Sequence, residues 1–143
     1  MRISAKSDYA IRAAVYIAAA DGRRVKAEEL ATETRVPRQF LENILGELRR
    51  AGIVRAHRGA EGGYALARPA GDINISMVLA AVGSPLSEDD DDLAASRVLA
   101  VAEVWRALQH TTRTLLESVT LDDLVRGELP NDIRLLAQGD GQR

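Results

Sequence analysis

Apolar and polar positions change period twice along this chain, and the changes divide it. Over residues 4–20, Tyr9, Ala13, Tyr16, Ile17 and Ala20 recur at helical spacing, with Ser4 suited to the N-cap and Asp21-Gly22 ending the run. A second helix is predicted over residues 26–34, carrying Leu30 and Ala31. After the turn Arg35-Val36-Pro37, the apolar residues Phe40, Leu41, Ile44, Leu45 and Leu48 fall on one helical face and predict a core-facing stripe. The opposite face is left to Arg38, Gln39, Glu42, Asn43, Arg49 and Arg50. Pro37 suits the first helical position, where its missing N–H would be unbonded anyway, and Gly52 suits a left-handed stop.

Past Gly52 the period becomes two. Residues 53–57 and 64–67 are predicted as short strands joined by Arg58-Gly59-Ala60-Glu61-Gly62-Gly63, whose glycines permit positive φ and close backbone approach. Two helices, a turn and then a cationic hairpin make a helix-turn-helix with an appended wing. Residues 68–75 form a linker, and Ser76 is the expected N-cap of a short helix over residues 77–82, stopped by Gly83-Ser84-Pro85.

The second half has a different character. The acidic run from Glu88 to Asp92 precedes a long helix expected over residues 93–119. Along it, Val98, Val101, Ala102, Trp105, Leu108, Thr112, Leu115, Leu116 and Val119 form a stripe too long for its short neighbours to cover, which calls for a partner chain. Val98, Val101, Trp105, Leu108 and Leu115 are therefore the dimer-interface candidates. Thr120 with Asp122 and Asp123 gives the cap and acidic first turn of a last short helix over residues 121–126. The expected fold is mainly α with a small β-hairpin wing. A winged helix-turn-helix domain spans residues 1–70, and a linker, short helix and acidic loop span 71–92. A dimerisation helix and short terminal helix follow over 93–126, and a C-terminal tail over 127–143, frayed beyond Leu136.

Charge sharpens the functional reading. The whole chain carries −2, but residues 1–70 hold 13 Lys and Arg against 8 Asp and Glu, a net +5, while residues 71–143 hold 6 against 13, a net −7. The basic half is what matters to a polyanion. Arg55, His57, Arg58 and Arg68 make the hairpin cationic. Such a ribbon can grip phosphates while the polar face of the preceding helix reads base edges. The DNA-binding candidates are Arg38, Gln39, Glu42 and Asn43 on that helix and Arg58 and Gly59 at the wing. Arg2, Lys6, Tyr9, Arg50, Arg55 and His57 are candidates for phosphate contact.

Other chemistries find little support. The sequence has no cysteine, so disulfides and thiolate ligands are excluded, and no metal site is expected. The four adjacent aspartates lack the spaced ligands and glycine of a calcium loop and read as a solvated linker. His57 and His110 stand apart from any nucleophile, so no catalytic residue is assigned. Trp105 reads as a dimer anchor, with the pocket beside it as the place for an effector. Asp8 and Arg12 interrupt the start as a signal peptide would not allow, and no apolar run reaches membrane-spanning length; no membrane association and a cytoplasmic location are expected.

Several linked blocks also carry a resemblance. Residues 1–10, MRISAKSDYA, Phe40-Leu41-Glu42, Leu48-Arg49-Arg50-Ala51-Gly52-Ile53-Val54, Arg58-Gly59 with Gly62-Gly63-Tyr64, and Val104-Trp105 with Val119-Thr120-Leu121 together resemble the Rrf2 family of bacterial regulators, over about residues 1–126. Its members include iron-sulfur, nitric-oxide and cysteine-metabolism regulators. The resemblance implies a homodimer joined through the long helix, binding a near-palindromic double-stranded DNA operator and repressing. By position it places Gln39 and Glu42 among base-facing residues, with Glu42 able to accept from cytosine N4, and Arg58 in a minor groove. Many relatives hold an iron–sulfur cluster on three cysteines. Here Leu99 and Ala102 stand where ligands would be expected, and Asp8 matches a carboxylate ligand position, so no cofactor is expected. Asp8 reads instead as a first-turn acid favourable with the helix dipole. A small metabolite, a protein partner such as a metabolic enzyme, or no effector at all remain open as regulators. An interaction module controlled by such an enzyme is the alternative function, and an enzyme finds no site.

Overall fold

The computed structural model describes residues 3–86 and 98–139. Helices α1 (Ala5–Ala19), α2 (Ala27–Thr34) and α3 (Arg38–Arg50) precede an antiparallel hairpin of β1 (Val54–His57) and β2 (Gly63–Leu66). A 3-10 turn (Ala70–Asp72), helix α4 (Ile75–Ala81), the long helix α5 (Leu99–Ser118), α6 (Leu121–Arg126) and α7 (Asn131–Gln138) follow. Mostly helical with one two-stranded wing, this is the expected fold class.

Helix α1 is the hub, packed against α2, α3, α4, α6 and β2. It can be so because its inner face is small: Ala10, Ala13 and Ala14 are fully buried beside Ile17, letting neighbouring backbones approach closely. Leu41, Ile44, Leu45 and Leu48 of α3 are likewise buried. Each such side chain contributes about 1.5–3 kcal/mol relative to exposure, so four of them fix both the position and the rotation of α3. Ser4 caps α1, its hydroxyl accepting from the Ser7 N–H at 3.1 Å, and Gly52 takes the expected positive φ of 74° after α3.

Four local expectations are corrected. Phe40 is not core: it is 48% exposed, because the buried stripe starts one residue later at Leu41 and leaves Phe40 about 100° round the helix, against Tyr9 with ring centroids 6.1 Å apart. Pro37 is the N-cap and not the first helical residue. The short helix begins at Ile75 under Asn74, whose side chain accepts from the Met77 N–H at 2.9 Å. Asn74 is held extended by a bridge to Thr120, with the Ile75 N–H donating to Val119 O (2.9 Å) and the Leu121 N–H to Ile73 O (2.8 Å). Finally, α7 lies where only a tail was expected. The acidic run and the start expected for the long helix at residue 93 fall outside the described residues.

Helix α5 meets the domain chiefly through α4, where Ala102 is buried. Of the rest of its stripe, Val98, Val101 and Leu108 are exposed and Trp105 is 37% exposed, whereas Thr112, Leu115 and Leu116 are half-buried and Val119 is buried in the chain's own fold. Thr120 caps α6 in a reciprocal capping box with Asp123. Among the described residues, no helix is long and apolar enough to cross a membrane.

Candidate nucleic-acid interface

The turn between α2 and α3 is set by Arg35 in the left-handed conformation (φ 57°) and by Val36, which is buried and pins the turn to the core. With α3 rotated by its leucine stripe, Arg38, Gln39, Glu42 and Asn43 project from its first two turns, all exposed. Arg38 reaches Glu28 (Nη1 to Oε1, 3.4 Å) and Glu42 (Nε to Oε1, 3.7 Å). Both are exposed pairs, worth about 0–1 kcal/mol, and easily exchanged for another partner. Arg50 sits at the far end of the same helix, roughly 16 Å along the axis from Gln39 at 1.5 Å per residue. Its guanidinium lies back over Gly46, where a Cβ would come within 3.4 Å of it, apart from the residues of the α3 tip.

The wing is stiffer than a free hairpin because the chain before α2 adds to it: the Val25 N–H donates to Tyr64 O at 2.8 Å and the Tyr64 N–H returns to Val25 O at 2.7 Å. Gly63 allows this approach, since a Cβ there would lie 2.8 Å from Val25 O. The loop is anchored by Arg24, whose Nη1 donates to Glu61 O at 3.3 Å. Arg58 and Gly59 are exposed at its turn, and Gly59 has φ 102°. Arg55 is exposed on β1, while His57 is half-buried; that burial, then Arg24 and Arg55, hold its imidazole below the usual value.

The candidates on α1 are less free. Lys6 donates to Glu47 Oε1 at 2.9 Å, and Tyr9 lies between Phe40 and the Arg12 guanidinium, 5.8 Å from its ring centroid. Arg2 falls outside the described residues. The wing also brings in cations to which sequence reading gave no role. Lys26 and Arg49 line, with His57, Arg58 and Tyr64, a recess of about 400 Å³ between the wing and the helix-turn-helix. Their joint position depends on the Val25 bridge, which no local pattern reveals.

The donors for an iron–sulfur cluster do not fit. No cysteine is present, Leu99 is 77% exposed with no ligand atom, Ala102 is buried against α4, and Asp8 is paired with Arg12. Among the described residues, no three His, Cys, Asp or Glu cluster as metal ligands would.

The Rrf2 family model, described as an iron-dependent transcriptional regulator, matches residues 3–127. An HTH-type transcriptional regulator of Mycobacterium tuberculosis is 46% identical over 96% of this chain and 89% of its own length. The regulator IscR of Cereibacter sphaeroides is 30% identical, with 90% of each chain covered. Among solved structures, CymR, the global cysteine regulator of B. subtilis, superposes with a TM-score of 0.78 at 26% identity, covering 89% of this chain and 98% of that one. The IscR of T. potens gives 0.74 at 28% identity, covering 89% and 88%. These relatives are transcriptional regulators and not enzymes. The chain therefore belongs to the Rrf2 family of winged helix-turn-helix transcriptional regulators, as a member without cysteine.

Proposed function

We propose that the protein is a homodimeric repressor that acts in the cytoplasm on a near-palindromic operator. The observation that carries the DNA-binding part is the state of its cations. Among the described residues, Lys26, Arg49, Arg55 and Arg58 have no carboxylate within ion-pair distance, whereas Lys6, Arg12, Arg23 and Arg38 on and around the helices all do. Unneutralised guanidinium and ammonium groups beside an exposed polar helix suit a phosphate backbone next to a groove. In this reading Gln39, Glu42 and Asn43 meet base edges in the major groove, with Arg38 released from its glutamates. Arg58 and Gly59 enter the flanking minor groove, and Lys6, Tyr9, Arg50, Arg55 and His57 contact phosphates.

The outward stripe of α5 supports the dimer. Val98, Val101, Trp105 and Leu108 leave a run of large apolar groups on one helix, more than an isolated chain of this size would leave to water. A second copy covering it through its own α5 sets two α3 helices about one helical turn of DNA apart. An effector acts by favouring one spacing of the two halves over another.

The test is fluorescence anisotropy on DNA from upstream of the gene, against scrambled DNA, over a salt series, with mass measured by light scattering. Specific binding with a steep negative salt slope by a dimer supports the reading. Trp105→Ala is expected to shift the protein toward monomer and to weaken operator binding in parallel. A Trp105→Ala protein that stays dimeric removes the interface assignment.

A further inference from the structure

The recess behind the wing gathers positive charge from separate parts of the chain. Lys26 comes from the connection before α2, Arg49 from the last turn of α3, and His57 and Arg58 from the end of β1 and the loop that follows it. Arg24 and Arg55 stand near enough to His57 to bear on its protonation. The loop's one acid, Glu61, meets Arg24 through its backbone carbonyl and not its carboxylate. Tyr64 of β2 completes the lining with a phenol. At about 400 Å³ the space lies in the roughly 300–1,000 Å³ range of ligand sites. A fold that needed these cations only for packing would neutralise them, because like charges held together repel. This one does so for the cations of α1 and leaves the recess uncompensated.

We propose that the recess receives a backbone phosphate of the bound DNA and that His57 takes up a proton as it does so, making DNA binding tighten as pH falls. The inference rests on the DNA-binding reading above. In the free protein, partial burial and the neighbouring Arg24 and Arg55 disfavour a further positive charge on the imidazole. A phosphate seated against Lys26 and Arg49 reverses the local field and favours the imidazolium, which then donates to a phosphate oxygen. The complex thus binds more protons than its components, and by linkage affinity rises as pH drops through the interval between the free and bound values. Glu61 and Tyr64 are the other titratable side chains of the wing beside the recess, and comparison with His57→Gln separates the histidine's share from theirs.

The experiment measures duplex-DNA binding by the full chain from pH 6 to 8 at fixed ionic strength, for wild type, His57→Gln, Lys26→Ala and, as a control, His110→Gln. Wild type and His110→Gln are expected to lose about tenfold in affinity across the range, within the limit of tenfold per pH unit per proton. His57→Gln should lose the pH slope, and Lys26→Ala should reduce the salt slope by about one. A direct readout is the His57 ring titration followed by NMR, which should move upward when DNA is added. Specific binding with the same pH slope in wild type and His57→Gln overturns this inference alone. No salt-dependent DNA binding at any pH overturns the DNA-binding reading and this inference with it.

Discussion

Replacing Gly62 by alanine isolates the wing from the rest of the molecule. A Cβ at that position would lie 2.3 Å from His57 O, 2.8 Å from Gly59 O and 3.0 Å from Arg58 C. All three are backbone atoms of the same hairpin, so no side chain can swing aside and the loop itself must open. Opening forfeits the bond from the Gly62 N–H to Gly59 O, 3.0 Å long. Overpacking of about 1–3 kcal/mol and a lost hydrogen bond of about 0.5–1.5 kcal/mol give roughly 2–4 kcal/mol. The damage stays local because the buried cluster is built from the helices, β1 and the linker, with no member in the loop. Against a typical stability of about 5–15 kcal/mol the variant remains folded, with a thermal midpoint lower by on the order of 10 °C. DNA binding suffers separately, since Arg58 and Gly59 no longer sit at a formed turn: loss of one groove contact, about 1–3 kcal/mol, weakens Kd by roughly 5- to 150-fold. Gly59→Ala is the comparison. Its φ of 102° strains any side chain, but nothing lies within 4 Å of the new Cβ, so its effects should be smaller on both counts. Circular dichroism melts and fluorescence anisotropy read the two quantities. A Gly62→Ala protein matching wild type in both, or no worse than Gly59→Ala, would refute the reasoning.

Two further outcomes follow from the geometry. Arg58→Ala should relax discrimination at one operator position by about 1–3 kcal/mol, while Arg50→Ala should weaken all sequences alike and lower the salt slope by about one; a panel of single-base operator variants separates them, and identical profiles would contradict the division of roles. Hydrogen bonds from Arg23 (2.8 and 3.1 Å) and then Tyr16 (2.9 Å) hold the Glu29 carboxyl below its usual value, and Glu29 in turn raises the Tyr16 hydroxyl. The stabilisation from Glu29 is therefore complete above the unfolded value of about 4.5 and fades as pH falls through the lower folded one. The melting difference between wild type and Glu29→Gln should shrink below about pH 4.5, and a difference constant with pH would contradict this.

How much of this was legible in the sequence depends on the range of the forces involved. Helix α3 could be read because its turn, stripe and left-handed stop at Gly52 are all local. The α6 cap could be read because Thr120 and Asp123 satisfy each other within one turn. Asn74 could not, since Ser76 is an equally good capping residue and the choice is made by backbone pairing with Thr120, far along the chain. Phe40 falls outside the core because periodicity gives a face but not its edges: full burial begins at Leu41, and Phe40 meets only the Tyr9 ring at the rim of α1. Helix α7 has only Ile133, Leu135 and Leu136 as large apolar residues, and the last two are exposed, so it offers little stripe to detect. The recess was hidden for a similar reason. Lys26 and Arg49 look like ordinary surface cations until Val25 pairs with Tyr64 and swings them against the wing.

The same pairing pattern explains how a chain of net charge −2 can address a polyanion. Asp8, Glu28, Glu29, Glu42 and Glu47 are all engaged with cations of the three-helix body, so that body is close to internally compensated. The surplus of the basic half is left on the wing and its recess, where no exchange of partners is needed before a phosphate can bind. On α3 the situation is opposite: Arg38 must leave Glu28 and Glu42 before it, or Glu42, can meet a base. Because those pairs are exposed, the exchange costs about 0–1 kcal/mol. That is small beside the roughly 1–3 kcal/mol by which a well-made base contact discriminates, but it is repaid only on a sequence offering such a contact. In the proposed reading, the recess and the wing's phosphate contacts therefore supply affinity to any duplex, while Arg58 and the ion-paired tip of α3 make the remainder conditional on the right one.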